Sequence, residues 1–502
     1  MDNLLKIANG ERIKRSDIPS LPFHVFRQEL LQFALHGGQI VHYFAYEDAG
    51  VLMVLAVLRS DAALYAAAAE VPEAYHALTA DCEKFHMFER EIAEQYGVRP
   101  YEHPWLKHVR YHANYRQRED VFGNDYRQEI PGNYDYFPVE GEAIHEVAVG
   151  PVHAGIIEPG HFRFQCIGEE VLHLEIQLGY QHRGVEKMLP AVPRKRLPVI
   201  VEGIAGDTAI GHSLCYAQAI ESLGSLPVDE GASIVRAIAL ELERIANHIG
   251  DLGALSGDVA FNPPAAYFGR LRGEFLNLLL VLSGNRFGKG LVRPGGVAYT
   301  MGQEQRQIII DKIKETKPEV AHVCDLLFTA HTVQARFDHT GTVDRETAEK
   351  LGLVGYAGRA SGIAYDARVS FPTECYGELP ASINNTTNGD VASRAAVRRE
   401  EVEHSFVLIE TLLAREVATE SVLAGDCKLA PSSLVVTINE GWRGEVSHCL
   451  LTDAGGEILR YKIKDPSFHN WTGLAMALRN QGISDFPLCN KSFNLSYCGF
   501  DL

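Results

Sequence analysis

Several features that mark common protein classes are missing from this sequence of 502 residues. No apolar run reaches the length of about 18 residues that a membrane-spanning helix needs. The first residues, MDNLLKIANGERIKRSDIP, have no apolar core followed by a small-residue cleavage site, so we expect no signal peptide. Basic residues are outnumbered, with 47 Lys and Arg against 65 Asp and Glu, for a formal net charge of -18. This balance argues against a nucleic-acid partner, which would require a dense basic face.

The cysteines do not form any motif for a metal or a cluster. There are nine, at irregular spacing and with no Cys-x-x-Cys among them. Zinc and iron–sulfur sites are normally built from thiolates paired at short spacing, so we expect no cofactor to be bound by this chain. A disulfide framework is not expected either, and we place the chain in a reducing compartment.

Nucleotide-binding and nucleophile motifs are also missing. No Gly-x-Gly-x-x-Gly follows a strand, and neither a Walker loop nor Gly-x-Ser-x-Gly is present. What the sequence does have is ordinary globular composition, with 46% hydrophobic and 22% charged residues. Its length predicts about two to four domains.

The local patterns predict an α+β fold in two parts. Residues 1–112 are expected to form a small α+β domain, with a hairpin of Val41–Tyr46 and Val51–Leu58 and a helix over Cys82–Tyr96 that ends at Gly97. Residues 113–143 are polar and rich in tyrosine, which indicates a linker docked on a surface. Residues 144–502 are expected to form a larger helix-bundle domain with small sheets at its periphery.

Apolar spacing gives the main elements of the larger domain. Helices are predicted after Asp207 and Thr208 as far as Gly224, and at Glu230–Leu255, Gly269–Ser283, Gln303–Lys314 and Ala395–Leu423. Near the C-terminus the period changes to that of strands, which are predicted at Leu434–Ile438, Glu445–Leu451 and Glu457–Ile463.

Polar residues stand at the ends of these apolar segments and are the candidates for chemistry. Taken singly, each is better explained as a cap or a satisfied core polar group. Together they contain histidines and carboxylates that would suit a proton path or a binding site. They are His153, Glu158, His161, Arg163, His182, Arg183, Glu186, Lys187, Asp207, His212, Asp366, Arg368, Asp465, Ser467, His469 and Asn470.

The order of the motifs resembles the large subunits of group 4, membrane-bound NiFe-hydrogenases and their relatives in respiratory complex I. CEKFHMFEREIAEQYGVRPYEHP is similar to the 30 kDa-type small subunit of complex I, fused here as in formate hydrogenlyase and hydrogenase-4 large subunits. The segments HEVAVGPVHAGIIEPGHFRF, LGYQHRGVEKML, ELERIANHIGDLGALSGDVAF, RFGKGLVRPGGV, GRASGIAYDARVSFP and NEGWRGEVSHCLLTDAGGEILRYKIKDPSF follow in the order of the 49 kDa-type subunit. The resemblance implies an oxidoreductase of the NADH-quinone oxidoreductase type.

The sequence departs from the hydrogenase pattern at the metal ligands. The two Cys-x-x-Cys pairs of the family fall here on Ala205 and Thr208, and on Ser467 and Asn470. Nickel and low-valent iron prefer soft thiolates, so we expect no nickel–iron centre and no other metal. The chain ends at NLSYCGFDL, which we expect of a subunit that is not processed after metal insertion.

The quinone pocket of complex I is matched only in part. His153 matches the first histidine of the hairpin motif, but Pro159 falls at the pocket's own histidine and Gly206 at its tyrosine. The resemblance implies His153, His161 and Asp465 as possible pocket-lining residues, with quinone as a possible ligand.

The resemblance also implies a catalytic set of Glu186, Arg183, Asp207, His212 and Arg368. Glu186 stands where hydrogenases pass protons away from the metal, and we expect it to pair with Arg183, Lys187 or Arg368. Asp207 is expected to cap the helix that contains His212. The alternative is that these residues are structural and hold an empty pocket closed.

Three functions remain open. The first is a subunit of a membrane-associated redox complex that couples electron transfer to ion translocation without a nickel–iron centre. The second is a non-catalytic scaffold between the small subunit and the membrane arm, and the third, a working NiFe-hydrogenase, is disfavoured by the missing thiolates. The expected partners are a small subunit with a 4Fe-4S cluster and antiporter-like membrane subunits, which would place the chain on the cytoplasmic face of the membrane.

Overall fold

The computed structural model describes residues 3–60, 62–123, 135–155, 157–383, 385–415 and 427–502. Within these ranges long helices alternate with four-, five- and three-stranded sheets, which confirms the α+β class. No helix of the described ranges combines the length and the apolarity that crossing a bilayer requires.

The N-terminal region is built on a five-stranded sheet. Strands β4 and β5 form the predicted hairpin, and β6 and β1 continue the sheet antiparallel while β3 pairs with β6 in parallel. The second helix ends as predicted at Gly97, whose φ of 66° is left-handed. The elements are β1 Leu5–Ile7, β2 Arg12–Lys14, β3 Ser20–Leu21, α1 Phe23–Leu35, β4 Gln39–Asp48, β5 Val51–Arg59, β6 Leu64–Glu70, β7 Ala74–His76, α2 His86–Tyr96 and β8 Arg99–Tyr101.

A three-stranded antiparallel sheet and a helical body follow. The sheet has the order β11-β10-β9, and α6 packs against both α7 and α13 in the centre of the body. The sheet and the first helices are β9 Ile144–Val149, β10 His161–Ile167, β11 Glu170–Gln177, α3 Val185–Ala191, α4 Leu197–Val201, α5 Ala209–Gly224, α6 Glu230–Asp258 and α7 Asn262–Ser283. The remainder are β12 Val292–Arg293, β13 Gly296–Val297, α8 Gln303–Phe328, α9 His331–Phe337, α10 Arg345–Leu351, α11 Gly355–Ala360, α12 Ala367–Ser370 and α13 Val391–Leu413.

Several helices differ from their predicted bounds, among them α7, which begins at Asn262 rather than Gly269. The α8 helix continues to Phe328, well beyond the predicted Lys314, and α13 begins at Val391 rather than Ala395. The predicted end of α13 at Leu423 lies outside the described residues. The long α8 has an exposed face rich in charge, so its apolar stripe is sparse and the periodicity underestimates its length.

The C-terminal part confirms the three predicted strands and adds a fourth from the opposite end of the chain. Strand β14 pairs with β15 and, on its other side, with β2 of the N-terminal segment. The sheet therefore has the order β16-β15-β14-β2 and connects the two ends of the chain. The elements are β14 Ser433–Gly441, β15 Gly444–Thr452, β16 Ile458–Lys464, α14 Ser467–Ala477, α15 Phe486–Phe493 and α16 Tyr497–Asp501.

The division at residues 112 and 143 stays a prediction. The described part of the segment, up to residue 123, lies against the protein: Asn114 is buried, and Tyr115 packs on the core. Residues 124–134 lie outside the described ranges. One apolar cluster contains residues of the N-terminal sheet, of α6 and of α14, so the two parts share a continuous core.

Candidate functional site

Three separated segments meet at the candidate site. They are the loop before α5, the junction of β16 and α14, and the C-terminal residues around α16. His212 Nε2 of α5 lies 3.1 Å from Asp465 Oδ2 at the end of β16, and both side chains are fully buried. Both residues were candidates from the sequence, and the fold brings them into contact.

Of the four positions that the resemblance assigns to metal-binding thiolates, three have side chains engaged in hydrogen bonds within the protein. Asn470 bonds the backbone of Val354 with both amide atoms, each at 3.1 Å. Ser467 Oγ accepts from the Ser496 amide at 2.9 Å, and Thr208 Oγ1 donates to Asp207 at 3.2 Å. Ala205 is buried and has no polar side-chain atom. Over the described ranges, no three His, Cys, Asp or Glu side chains are grouped as metal ligands.

Asp207 does not cap α5, contrary to the sequence prediction. Its carboxylate makes a bidentate pair with Arg443, with both N–O distances 2.7 Å. The free amides of the first turn instead donate to Glu243 of α6, Ile210 N at 2.8 Å and Gly211 N at 3.1 Å. The guanidinium of Arg443 matches the bidentate geometry of a carboxylate. Asp207 therefore pairs with Arg443 and does not accept from the amides at the start of α5.

A second histidine, which the sequence motifs did not indicate, extends the buried contacts. His448 Nε2 lies 3.0 Å from His212 Nδ1, and His448 Nδ1 lies 2.8 Å from the Tyr461 hydroxyl. Burial lowers the pKa of His448 well below its usual value, so this imidazole is neutral. The alternation of β15 places His448 on the face towards α5, and that alternation was the only signal in the sequence.

Glu186 is buried, but its partners are not the predicted ones. Its two oxygens accept from Lys462 Nζ at 2.9 Å and Arg460 Nη2 at 2.8 Å, and from the Ile463 amide at 3.0 Å. Burial alone would raise the pKa of Glu186, but the charges of Lys462, Arg460 and Arg110 outweigh it and hold that pKa well below its usual range. The pairings with Arg183, Lys187 and Arg368 are therefore wrong, because α3 packs against β16 and presents Glu186 to that strand.

The cations of β16 form a row on one face of the strand, and we call Arg460, Lys462 and Lys464 the β16 cation row. All three are buried. Lys462 also bonds Glu91 of α2 at 2.6 Å, and Lys464 bonds Glu445 of β15 at 2.6 Å. The N-terminal region thus supplies a carboxylate to the surroundings of Glu186. The alternating sequence RYKIK indicated that the three cations share one face of a strand. Nothing in it indicated that this charged face is buried.

Arg368 belongs to a separate buried group of charges. It donates to Asp366 at 2.7 Å and to Glu241 of α6 at 3.2 Å. Arg359 joins the same group by bonding Glu440 at 2.8 Å and the Glu401 carboxylate. Buried charges are tolerated only when they are paired, and these residues pair one another across α6, α11, α12, α13 and β14.

Arg183 fastens the loop before α5 to the C-terminal segment. Its guanidinium donates to the carbonyl oxygens of Ile204 at 2.8 Å and Cys498 at 2.9 Å, and to that of Gly203. Its hydrogen bonds go to backbone carbonyls rather than to Glu186, and its predicted catalytic role stays a prediction. Arg183 can therefore fix the loop that contains Ala205.

His153 and His161 stabilise the turn between β9 and β10. His153 Nε2 lies 2.9 Å from the Gly160 carbonyl, and His161 Nδ1 lies 3.1 Å from the Gly150 carbonyl. Burial lowers the pKa of His161. Both rings therefore have a structural partner on the turn itself, and their predicted role in lining a pocket stays a prediction.

Comparison with known proteins agrees with these motifs. A family model described as "Respiratory-chain NADH dehydrogenase, 49 Kd subunit" matches residues 258–433. Hydrogenase-4 component G of Escherichia coli is 27% identical over 418 residues, which cover 82% of this chain and 72% of that protein. The membrane-bound hydrogenase subunit alpha of Pyrococcus furiosus is 28% identical over 70% of this chain and 85% of its own length. An NADH-quinone oxidoreductase subunit of Chloroherpeton thalassium is 28% identical over 67% of this chain and 82% of its length.

The chain is an α+β protein that is similar to subunits of hydrogenases and of NADH-quinone oxidoreductases. More particularly, it is a homologue of hydrogenase-4 and formate hydrogenlyase subunits and of a subunit of the NADH-quinone oxidoreductases, as the motifs indicated.

Proposed function

We propose that this chain is the large subunit of a membrane-associated, complex I-like redox complex that couples electron transfer to ion translocation without a nickel–iron centre. Its relatives are named as components of hydrogenases and NADH-quinone oxidoreductases, which supports the redox complex. The metal-free part of the proposal is supported by the side chains at the four expected ligand positions, Ala205, Thr208, Ser467 and Asn470, none of which is a thiolate.

The side chains at those positions do not fit a nickel–iron centre. Ala205 has no donor atom, and both amide atoms of Asn470 are used by Val354. Ser467 Oγ is occupied by a backbone amide, and neutral hydroxyls supply neither the charge nor the softness of thiolate. The neighbouring pairs, Asp207 with Arg443 and His212 with Asp465, are nevertheless formed.

The buried charges support a role in ion movement. Glu186 with the β16 cation row, and Arg368 with its carboxylates, are ionisable groups kept in the interior at a cost in desolvation. Such groups concentrate at functional sites, although structural ion pairs also contain them. Their number here favours the coupling function over the scaffold.

The proposed partners follow from the same relatives. A small subunit would hold the 4Fe-4S cluster, since this chain has no paired cysteines, and antiporter-like subunits would form the membrane arm. The chain would then lie on the cytoplasmic face of the membrane. Quinone is a possible acceptor; His153 and His161 would line its pocket only if the turn between β9 and β10 rearranged, because both rings are bonded to it.

The test uses the intact complex purified from membranes with mild detergent. Elemental analysis is expected to give far less than one nickel per chain. Electron transfer is then measured with soluble quinone analogues and with viologen dyes as acceptors. About one nickel per chain would contradict the metal-free assignment, and a complete, monodisperse complex that reduces none of the acceptors would favour the scaffold.

A further inference from the structure

A buried arginine of the N-terminal region lacks a counter-ion. Arg90 of α2 is only 5% exposed. Its Nε donates to the Lys107 carbonyl at 2.9 Å and its Nη2 to the His108 carbonyl at 2.7 Å. Its Nη1 contacts the thioether sulfur of Met87 at 3.4 Å, and this sulfur is a weak acceptor. None of these partners is negatively charged, and a buried charge without an opposite charge is costly.

The other buried arginines of the described ranges show what Arg90 lacks. All but one of them are ion-paired with a carboxylate. The exception is Arg394, whose Nε, Nη1 and Nη2 donate to oxygen atoms at 2.8, 2.7 and 2.9 Å. Arg394 therefore uses every nitrogen within the protein, whereas Arg90 has Nη1 left for a further acceptor. The paired arginines are Arg59, Arg110, Arg236, Arg244, Arg359, Arg368, Arg398, Arg443 and Arg460.

Arg90 lines a cavity whose other walls are largely apolar. The cavity has a volume of about 90 Å³ and lies where α2, β11 and α14 meet. Trp105, Trp471, Met476 and Phe500 contribute to its walls. At roughly 30 Å³ for each water molecule, this volume holds about three waters, which is the space of a short carboxylate ion.

Two further polar groups in the cavity wall have no partner. Gln177 and His173 both line the cavity. Gln177 Nε2 and His173 Nε2 are buried and form no hydrogen bond over the part of the chain that the structure describes. Burial lowers the pKa of His173, so its imidazole is neutral and can donate through one nitrogen. Unpaired buried polar groups are uncommon in folded proteins, and a water or a ligand beside them is the usual explanation.

The charges around the cavity favour an anion. Burial and then the charge of Arg90 lower the pKa of His103 to about 4, so this imidazole is neutral. Arg479, which follows α14, also lines the cavity and is exposed, so it adds a positive charge on the solvent side. The nearby carboxylate of Glu175 is already paired with Lys107 at 2.8 Å.

We propose that this cavity binds a small monocarboxylate with an apolar body, of about the size of propionate. The carboxylate accepts from Arg90 Nη1 and from Gln177 Nε2, and the alkyl group lies between the rings of Trp105 and Trp471. No covalent bond forms or breaks. The site goes beyond the proposed redox function and lies between the N-terminal region and α14, so a bound anion stabilises their contact.

The competing explanation is that Arg90 only holds the loop after β8 and that the cavity contains water. The bonds of Arg90 to the Lys107 and His108 carbonyls would serve that purpose. A variant at Arg90 would loosen the loop under either explanation. The test therefore changes the charge of the ligand first and leaves Arg90 in place.

Binding to the purified complex is measured by isothermal titration calorimetry with propionate and with propionamide, its neutral isostere. Hydrogen bonds to a charged group are stronger than neutral ones, so propionate is expected to bind between about tenfold and a hundredfold more tightly. Equal binding of the two, or no binding of either, would overturn the proposal. Chloride that binds as tightly as propionate would overturn the apolar part of the site. No electron donor is present, so these results do not depend on the proposed redox function.

Two variants place the binding in this cavity. Ala475→Phe fills the space from α14 and is expected to abolish propionate binding. Arg479→Gln removes the exposed charge and is expected to weaken binding about threefold. Arg345→Gln, at an exposed arginine of α10, is the matched control and is expected to have no effect. Wild-type affinity in Ala475→Phe with an unchanged urea midpoint, or in Arg479→Gln, would show that propionate binds elsewhere and would overturn the site.

Discussion

Replacing Glu186 by glutamine should destabilise the protein strongly, because the carboxylate balances two buried cations. Glu186 Oε1 and Oε2 accept from Lys462 at 2.9 Å and Arg460 at 2.8 Å. Glutamine keeps the size of the side chain but removes its charge. It also replaces one acceptor with an NH2 group that faces a cation.

The expected cost follows from the partners that remain. Removing one member of a buried ion pair costs about 3–5 kcal/mol. Lys462 still donates to Glu91 at 2.6 Å, and Arg460 still donates to the side-chain oxygen Oε1 of Gln95 at 3.3 Å. Because these contacts remain, we expect the loss in free energy of unfolding to lie at the lower end of that range, at about 3 kcal/mol.

The purified complex is unfolded in urea, and the transition that includes this chain is followed. The change in its midpoint gives the change in free energy of unfolding. Glu410→Gln is the matched control, since Glu410 pairs with Lys317 on the surface. An exposed pair contributes about 0–1 kcal/mol. Glu186→Gln combined with Lys462→Met should recover part of the loss, because it removes one of the two buried cations that Glu186 balances, while Glu91 keeps Arg110 as a partner.

The pH dependence of the free energy of unfolding checks independently that ionised Glu186 stabilises the fold. The pKa of Glu186 is lower in the folded protein than in the unfolded chain, where it is about 4.3. The stabilisation is therefore complete above about pH 4.3 and is lost as the pH falls further. If Glu186→Gln were as stable as the wild type above this pH, the assignment of Glu186 as the balancing charge would be wrong.

Three further predictions concern neighbouring groups. Burial raises the pKa of Glu243 to about 8, so the free energy of unfolding should fall as the pH rises from about 4.3 towards 8. Glu243→Gln should flatten this dependence of stability on pH, measured by urea titrations at several pH values. Gly355→Ala should cost more than about 1 kcal/mol in the same assay, because a Cβ would lie 2.0 Å from the Arg443 carbonyl oxygen; a neutral result would contradict this packing. Tyr461→Phe should cost about 1–3 kcal/mol by leaving His448 Nδ1 unpaired, whereas wild-type stability would refute that bond.

Local residue patterns were sufficient to predict the five longest helices, α2, the β4–β5 hairpin and the strands β14 to β16. The hairpin of β4 and β5, α2 with its end at Gly97, and α5 all have alternation, helical spacing or a stop residue in the sequence itself. The pairing of β2 with β14 could not be predicted in the same way. The two strands are joined by more than four hundred residues. With only three residues, β2 has no pattern strong enough to select a partner strand.

The candidate site shows the same limit. Motif order nominated Glu186, Asp207, His212 and Asp465, and the fold does place His212 against Asp465. Motif order gave the wrong partners for Glu186 and the wrong role for Asp207, because the cation that each carboxylate meets is distant in the sequence. Lys462 of β16 meets Glu186, and Arg443 in the turn between β14 and β15 meets Asp207.

The sequence alone determined the similarity to the hydrogenase and complex I subunits and the α+β class, and it predicts that the four thiolate positions are replaced. These depend on residue identity and order, which are read directly. Only the tertiary structure decided which buried polar groups meet: Arg460 and Lys462 with Glu186 and Glu91, and His448 with His212. Coulomb and hydrogen-bond energies depend on distance and burial, and both are set by how strands and helices from opposite ends of the chain pack together.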